Sequence, residues 1–439
     1  MTKRVTELIV MMGGELMGEL HRSGQRNVLR YDRAYRATPG STPLSVGMPL
    51  LDEEHSGRRV AAYLDGLLPD NEEVRTRWAR QFECPNQPFD LLAHVGEDCA
   101  GGVQFVRPER LDRLVPGEIE WLSDDDIAIA IHQLRIDPAA WLPESEVGQF
   151  SLAGAQSKFA LVHDPALGRW GRASGAVPTT HIVKPASARF PGYEINEHLS
   201  MGLAAALGLI TARSRIVAFA DTRAVVVARY DRVYDGERWR RVHQEDLCQA
   251  LGVPPARKYE SSIGPTPVRI AELLRDVVGE VGQGSVERFA SALAFNWLTA
   301  GTDAHAKNYS LLLSGPQVRL APLYDLGSAL PYVSDTPLRE PGTLDAARLR
   351  LAMRVGGEYA VRRVRRQHWD ALAAQLKLEA GFLDRVTEMA ERIPVLLERL
   401  AGDPGLASEE FVHRYVTKLT NHAHNCLHVL RGRPPRGWS

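Results

Sequence analysis

The chain has 439 residues, 44% of them hydrophobic, which is length for two to four domains and enough apolar material to rule out global disorder. Its 53 Lys+Arg against 54 Asp+Glu leave a net charge of −1, without the basic excess of a surface that binds nucleic acid by itself. Cys84, Cys99, Cys248 and Cys426 are widely spaced with no CxxC pair, which argues against a disulfide scaffold or a structural zinc site.

No apolar run reaches the ~18 residues of a membrane-spanning helix. The N-terminal apolar stretch is interrupted by Glu7 and Glu15 and lacks a clear signal-cleavage pattern. The expectation is a cytoplasmic protein with no membrane association. Only seven of the 53 basic residues are Lys and 46 are Arg, so the places where a compact ammonium is kept are worth following.

Residues 1–110 read as a small α+β unit with helices near 58–68 and 72–81. A polar, acidic stretch near 123–126 precedes a helix reaching about Leu134. SLAGAQSKFALV reads as strand, glycine turn, strand, and THIVKP as a strand that ends at Lys184 and is stopped by Pro185. EINEHLSMGLAAALGL has helical spacing, with Leu199, Leu203, Ala206 and Leu207 on one side. SRIVAFA and RAVVVARYDR are strands around an Asp221-Thr222 turn. Beyond residue 244 the chain reads as helical, except for a hairpin in YSLLLSGPQVRLAPLYDLG that turns at 314–317. The Pro/Arg/Gly-rich tail is expected to fray. This order suggests two lobes with a cleft between them, where ligands often sit.

The chemistry is concentrated in Thr302-Asp303-Ala304-His305-Ala306-Lys307-Asn308, between a predicted helix over 286–299 and the hairpin. Asp303 and Asn308 have the spacing that protein-kinase catalytic loops keep between the Asp that takes the hydroxyl proton and the Asn that binds Mg²⁺. Past the hairpin comes Asp325-Leu326-Gly327, close to the kinase D-F-G. The hairpin is expected to bring Asp325 beside Asn308, as two hard oxygen ligands for Mg²⁺. Upstream, Lys184 ends a strand as the kinase nucleotide-binding Lys does, and Glu197 on the next helix stands where its ion-pair partner is expected, with Glu194 on nearly the same face. The turn around Ala153, Gly154 and Ala155, followed by Gln156, Ser157 and Lys158, takes the place of the phosphate-covering loop, although it is not GxGxxG. Each element alone is common, and the order of the set is what points to a kinase.

SLAGAQSKFAL, THIVKP, NEHLSMGLAAALGL, VVVARYDR, QEDLCQALGVPPARKYE, FNWLTAGTDAHAKNYSLLL and LAPLYDLGSALPY together resemble the HipA family of serine/threonine kinases, the toxins of bacterial type II toxin–antitoxin pairs. LLPDNEEVRTR and QPFDLLAHVGEDCAGGV are similar to that family's N-terminal unit. The resemblance spans roughly residues 5–400, with the blocks in family order. It implies an α+β, two-lobed protein-kinase-like fold with an extra N-terminal α+β subdomain and a mostly helical C-lobe, divided as 1–140, 141–240 and 241–439. It implies ATP and Mg²⁺ as cofactors, Asp303 as catalytic base, Asn308 and Asp325 as metal ligands, and Lys184 on the ATP phosphates. Arg229, Tyr230 and Asp231 would form the hinge beside the nucleotide. Ser151 matches the family's autophosphorylated serine, whose phosphorylation holds the phosphate loop out of the ATP site. The implied protein substrate is glutamyl-tRNA synthetase. The implied partner is a small helix-turn-helix antitoxin, through which operator DNA is reached.

Two positions depart from the family pattern. Ala228 stands where a hinge Glu is usual, and Gln156-Ser157-Lys158 replaces Gln-Glu-Lys, which makes Ser157 an alternative phosphoacceptor. His305 reads as a structural or hydrogen-bonding residue near the nucleotide. Lys307 has two readings, a ligand of the terminal phosphate or a lysine beside the cleft. Gln244-Glu245-Asp246 is expected to open a helix. Arg362-Arg363 with Arg365-Arg366 is expected to be a solvated face, and His422, His424 and His428 to hold no metal. The competing functions are a kinase-like corepressor that binds an antitoxin on operator DNA, and a small-molecule kinase.

Overall fold

The computed structural model describes residues 5–24, 26–114, 117–137, 156–187, 189–279, 282–334, 342–406 and 409–435. They fall into two compact units that interleave along the chain. One holds 1–185, 217–258 and 310–321; the other holds 186–216, 259–309 and 322–439.

The first unit begins with Glu7–Met12, whose alternate residues Leu8, Val10 and Met12 are buried, the period of a half-buried strand. It turns back into Glu15–Ser23 through Gly13 and Gly14, both at positive φ, as a tight two-residue hairpin requires. Arg26–Tyr31, Glu54–Ser56 and Val103–Val106 complete a five-stranded sheet. Its core takes Val60, Tyr63 and Leu64 from the helix Arg58–Leu67 and Phe89, Leu91 and Leu92 from Pro88–Val95. The helices expected over 58–68 and 72–81 are Arg58–Leu67 and Glu72–Gln81, the second capped by Asn71, whose side chain accepts from the Glu73 N–H.

A six-stranded sheet follows, in the order Ser214–Phe219, Thr222–Ala228, His181–Pro185, Phe159–Asp164, Arg169–Ala173, Ile119–Leu122. The helix Asp124–Ile136 starts at a Ser123/Asp126 capping box and packs Ile127, Ile131 and Leu134 against Phe159, Leu161, Val183 and Val226. The strand expected before Gly154 lies outside the described residues.

His243–Asp246 pairs with Ser310–Ser314, which pairs with Gln317–Leu320. This is the expected hairpin, turning through Gly315 at φ 57°. Asp246 caps the following helix, its side chain accepting from the Gln249 N–H at 2.9 Å. Its neighbour Glu245 is buried and accepts from the Val46 N–H at 2.7 Å; burial pushes its carboxyl up to about 8.

The second unit is helical: Tyr193–Ala206, Pro267–Val278, Gly282–Leu298, Arg366–Gln375, Phe382–Ala401 and Glu410–Leu430. Trp297, Trp369, Phe289, Phe382 and Tyr415 fill its interior. His422 Nε2 donates to the Trp297 carbonyl at 2.8 Å, so that histidine is a helix-packing group. One element differs from expectation: Arg350–Val355 and Glu358–Ala360 form a hairpin around Gly356-Gly357 in a stretch read as helical. Its apolar run is too short for period 2 to stand out from period 3.6, and the glycine pair was the only signal. Among the described residues no helix is long and apolar enough to cross a membrane.

Candidate active site

The helix Gly282–Leu298 ends on a tight reversal that sets up the loop behind it. Ala300 adopts φ 50°, and the Gly301 N–H reaches back to the Asn296 carbonyl at 2.6 Å. A Cβ on Gly301 would stand 2.3 Å from Asn296 Oδ1, and Asn296 is buried with its Nδ2 donating to the Ala292 carbonyl and the Tyr309 hydroxyl. The glycine before Thr302-Asp303 is therefore fixed by close approach. Gly301→Ala is expected to lower stability by about 1–3 kcal/mol, the usual range for overpacking, and to reduce activity in the fraction that folds. Thermal melts alongside the phosphotransfer assay check both.

The Asp303–Asn308 segment folds on itself. The Asp303 carbonyl accepts from the His305 N–H and from Asn308 Nδ2, both at 2.8 Å, and the His305 carbonyl accepts from the Asn308 N–H at 2.9 Å. With its nitrogen so engaged, Asn308 has its carboxamide oxygen as the atom suited to a hard cation. Asp303 is exposed, whereas His305, Lys307 and Asn308 are buried. The Tyr259 hydroxyl donates to Asp303 Oδ1, and the Tyr259 ring meets the His305 ring edge-on, centroids 4.9 Å apart.

The Asp325 segment is tied to this loop. The Tyr324 hydroxyl donates to the Lys307 carbonyl at 2.6 Å, which brings the preceding residue of Asp325 onto the loop's own backbone. Asp325 sits at φ 56°, a left-handed conformation that is sparsely used outside glycine and concentrated at functional sites. Behind it, the Asn196 side chain clamps Ser328, giving Nδ2 to its carbonyl at 2.7 Å and taking its N–H at 2.8 Å. The Ser328 hydroxyl donates to the Thr299 carbonyl at 2.7 Å. Gly327 packs against Tyr193, whose Oη would be 3.1 Å from an added Cβ. Burial pushes the Tyr193 hydroxyl well up, and the negative charges of Asp325, Glu197 and Asp303 push it further. The candidate metal ligands Asn308 and Asp325 offer hard oxygen atoms, the donor chemistry that suits Mg²⁺.

Lys184 lies on the strand His181–Pro185, buried and opposite Val225 of Thr222–Ala228. Glu197 and Glu194 are both buried on the helix Tyr193–Ala206, so burial does not separate them. The negative charge of Glu197 raises the Tyr193 hydroxyl, and that of Glu194 raises the Tyr332 hydroxyl. Gln156, Ser157 and Lys158 lead into Phe159–Asp164 and are half-buried. Ser151, Ala153, Gly154 and Ala155 lie outside the described residues. Lys258, one of the seven lysines, pairs with Asp70 at 2.6 Å, a structural role.

The stretch Arg229-Tyr230-Asp231 turns its side chains to other partners. Arg229 is sealed from solvent and bonds Asp231 (2.9 Å), the Thr179 hydroxyl (2.8 Å) and the Cys99 carbonyl (2.8 Å). Asp231 also accepts from the Gly101 N–H at 2.7 Å. Arg232 and Arg241 both reach Asp98, at 3.0 and 3.1 Å. Tyr230 donates to Gln244 Oε1. What this stretch can offer a nucleotide is its backbone. Asp98, Thr179, Arg232 and Arg241 were not singled out in the sequence, nor were Tyr193, Asn196, Tyr259 and Tyr324. Nothing in their spacing marks them, and the glycine-flanked GEDCAGG around Asp98 is the one local hint.

Comparison with known proteins identifies the family. The family model described as the HipA-like C-terminal domain matches residues 150–397, and the HipA N-terminal domain matches residues 8–106. The chain is 34% identical over 412 residues to a putative kinase, Y4mE, of Sinorhizobium fredii, covering 92% of this chain and 93% of that protein. It is 28% identical over 444 residues to the serine/threonine-protein kinase toxin HipA of Shewanella oneidensis, with 95% of each covered. The solved complex of Shewanella oneidensis MR-1 HipA with HipB and operator DNA contains a chain that matches with a TM-score of 0.80 at 26% identity, over 97% of this chain and 98% of that one. With both domain families matched in order and the α+β kinase-like fold reproduced along its length, the chain belongs to the HipA family of serine/threonine-protein kinase toxins.

Proposed function

We propose that this toxin kinase uses ATP and Mg²⁺ to phosphorylate a seryl or threonyl hydroxyl of a host protein in the cytoplasm, glutamyl-tRNA synthetase being the first candidate. The observation that carries this reading is the self-bonded loop from Asp303 to Asn308, stapled to the Asp325 segment by Tyr324. Asp303 is the base. The substrate hydroxyl gives its proton to the Asp303 carboxylate as its oxygen bonds the terminal phosphorus of ATP. The bond from that phosphorus to its bridging oxygen breaks, and ADP leaves. Asn308 and Asp325 would hold Mg²⁺, which supplies charge neutralisation at the phosphates. Lys184 is assigned to the ATP phosphates, with Glu197 as its orienting acid. Gln156, Lys158 and the segment 153–155 are assigned to the phosphate-covering loop, and the backbone of 229–231 to the adenine. His305 and Lys307 line the same loop as Asp303, with Lys307 directed to the terminal phosphate.

The segments 1–140, 141–240 and 241–439 are then an N-terminal subdomain, a nucleotide-binding part and a catalytic part. Autophosphorylation at Ser151, or at Ser157, would silence the kinase by adding about −1.5 to −2 charge to the loop that covers the phosphates. A small helix-turn-helix antitoxin would hold the toxin in check and carry it to operator DNA. The solved HipA–HipB–operator complex supports that partnership, and a net charge of −1 suits DNA contact made through the partner.

The direct experiment supplies labelled ATP, Mg²⁺ and a host lysate to the purified protein. A labelled lysate protein supports the reading. No labelled protein, with a consumed metabolite pool instead, would transfer it to small-molecule phosphorylation. Lys184→Arg is expected to weaken ATP binding about tenfold, because a buried ammonium site does not accept the larger planar guanidinium without displacement. Nucleotide titration measures it, and an unchanged Kd removes Lys184 from the site. A corepressor role can coexist with catalysis and predicts that Asp303→Ala leaves operator repression unchanged.

A further inference from the structure

We propose that Tyr259 is a positioning residue for phosphotransfer: its hydroxyl, bonded to Asp303 Oδ1, fixes the rotation of the carboxylate that takes the substrate proton. The inference rests on the reading of Asp303 as the base.

Asp303 is the exposed member of a loop whose other polar members, His305, Lys307 and Asn308, are buried, so the orientation of its carboxyl depends on the groups that bond it. A carboxylate in water samples many rotations, and a base that must meet a hydroxyl within about 2.6–3.2 Å loses rate for each unproductive one. A donor of fixed position engaging one oxygen selects the rotation.

Tyr259 has a fixed position. Its carbonyl accepts from the N–H groups of Ser262 and Gly264, each at 3.0 Å, which locks the turn it begins. The next residue, Glu260, is buried and clamped by the Arg354 N–H at 2.6 Å and Arg354 Nε at 2.8 Å. The ring stands edge-on to His305, at an interplanar angle of 86°, so the catalytic loop supports the tyrosine that orients its aspartate. A tyrosine held by backbone, by a buried carboxylate and by an aromatic contact places its hydroxyl with little freedom left. A surface tyrosine bonding a neighbour by chance would show none of these constraints.

The test uses the full chain with Mg-ATP and a phosphorylatable protein substrate. Tyr259→Phe keeps the ring and its contact with His305 and removes only the hydroxyl. Expected are a kcat lowered about tenfold, the size of a hydrogen bond to a charged group, and a KM for ATP and a melting temperature that do not change. In an Asp303→Asn background the same substitution is expected to have no further effect on the residual rate. An unchanged kcat in Tyr259→Phe overturns the proposal. So does an equal loss in the Asp303→Asn background, because Tyr259 would then act elsewhere. A rise in kcat/KM for the protein substrate also overturns it, showing that the hydroxyl blocks the base instead of orienting it. If Asp303→Asn alone retains the full rate, the assignment of the base fails first and this inference falls with it, whatever Tyr259→Phe does.

Discussion

Asp303→Asn is expected to reduce phosphotransfer by about 10²–10⁴-fold, the contribution of a positioned general base, while leaving nucleotide binding and the melting temperature close to those of the unaltered protein. Asparagine has nearly the same shape and can still accept from the Tyr259 hydroxyl. Asp303 is exposed, and its backbone carbonyl holds Asn308 and His305 in place. On the proposed reading of Asp303 as the base, the substitution removes the proton acceptor while keeping the side chain's size and its bond from Tyr259. Single-turnover phosphotransfer with ATP titrated separately is the measurement. A variant that still binds ATP and still transfers phosphate at the original rate would show that another group takes the proton. A variant that melts early would show that the side chain has a structural role as well.

The second large effect concerns stability. Asp98→Ala is expected to destabilise the protein by about 3–5 kcal/mol, because removing one partner from a buried ion network leaves the others uncompensated. Asp98 faces three guanidinium groups: Arg232 and Arg241 at 3.0 and 3.1 Å and Arg229 at 3.4 Å. The Thr179 hydroxyl donates to it at 2.5 Å. Burial alone would raise its carboxyl, but the three positive charges outweigh burial and hold it well below the carboxylate range. Asp231 is lowered in the same way. Burial and the neighbouring Arg229 bring Arg232 down to about 10, the mark of cations outnumbering anions in a dry site.

The sign of the pH effect follows. A carboxyl depressed in the folded state stabilises fully above its unfolded value of about 3.9, and that contribution is lost as pH falls below it. Melting temperature should therefore drop steeply on acidification in the unaltered protein and less steeply in Asp98→Ala. Activity should fall with stability, because the strand Thr222–Ala228 that leads into this network pairs Val225 with Lys184. A melting temperature within about 1 °C of the parent's would sink the argument, since even 1 kcal/mol shifts it by several degrees in a domain.

How much of this was legible in the sequence depended on the range of the interactions. Arg58–Leu67 and Glu72–Gln81 could be read because caps and period 3.6 lie within a dozen residues of one another. The strand at Lys184 was bounded by Pro185, and the hairpin at Ser310–Leu320 by its glycine turn. The loop 302–308 and Asp325-Leu326-Gly327 were legible as chemistry because kinases need those residue types at those offsets. The hairpin at Arg350–Ala360 was missed because its apolar run is short enough to suit either period. The first sheet was read only as apolar runs with turns, since its strands pair across up to a hundred residues, as Glu7–Met12 does with Val103–Val106.

The sequence alone therefore determined the kinase class, through the order of its candidate residues: a strand lysine, a helix acid, the Asp-x4-Asn loop and the Asp-Leu-Gly turn, with four of the seven lysines, at 158, 184, 258 and 307, inside the family blocks. Only the tertiary structure decided which groups hold that chemistry in place. Tyr259 reaches Asp303 from 44 positions away, Asn196 reaches Ser328 from 132, and Arg229 meets Asp98 from 131. Side-chain hydrogen bonds and ion pairs carry no periodicity and no preferred offset, so their partners become visible only once the backbone has brought them within 3 Å. The same limit gave Arg229 and Asp231 a nucleotide role from their place in a motif, while burial and three arginines around one aspartate made their side chains part of the protein's interior.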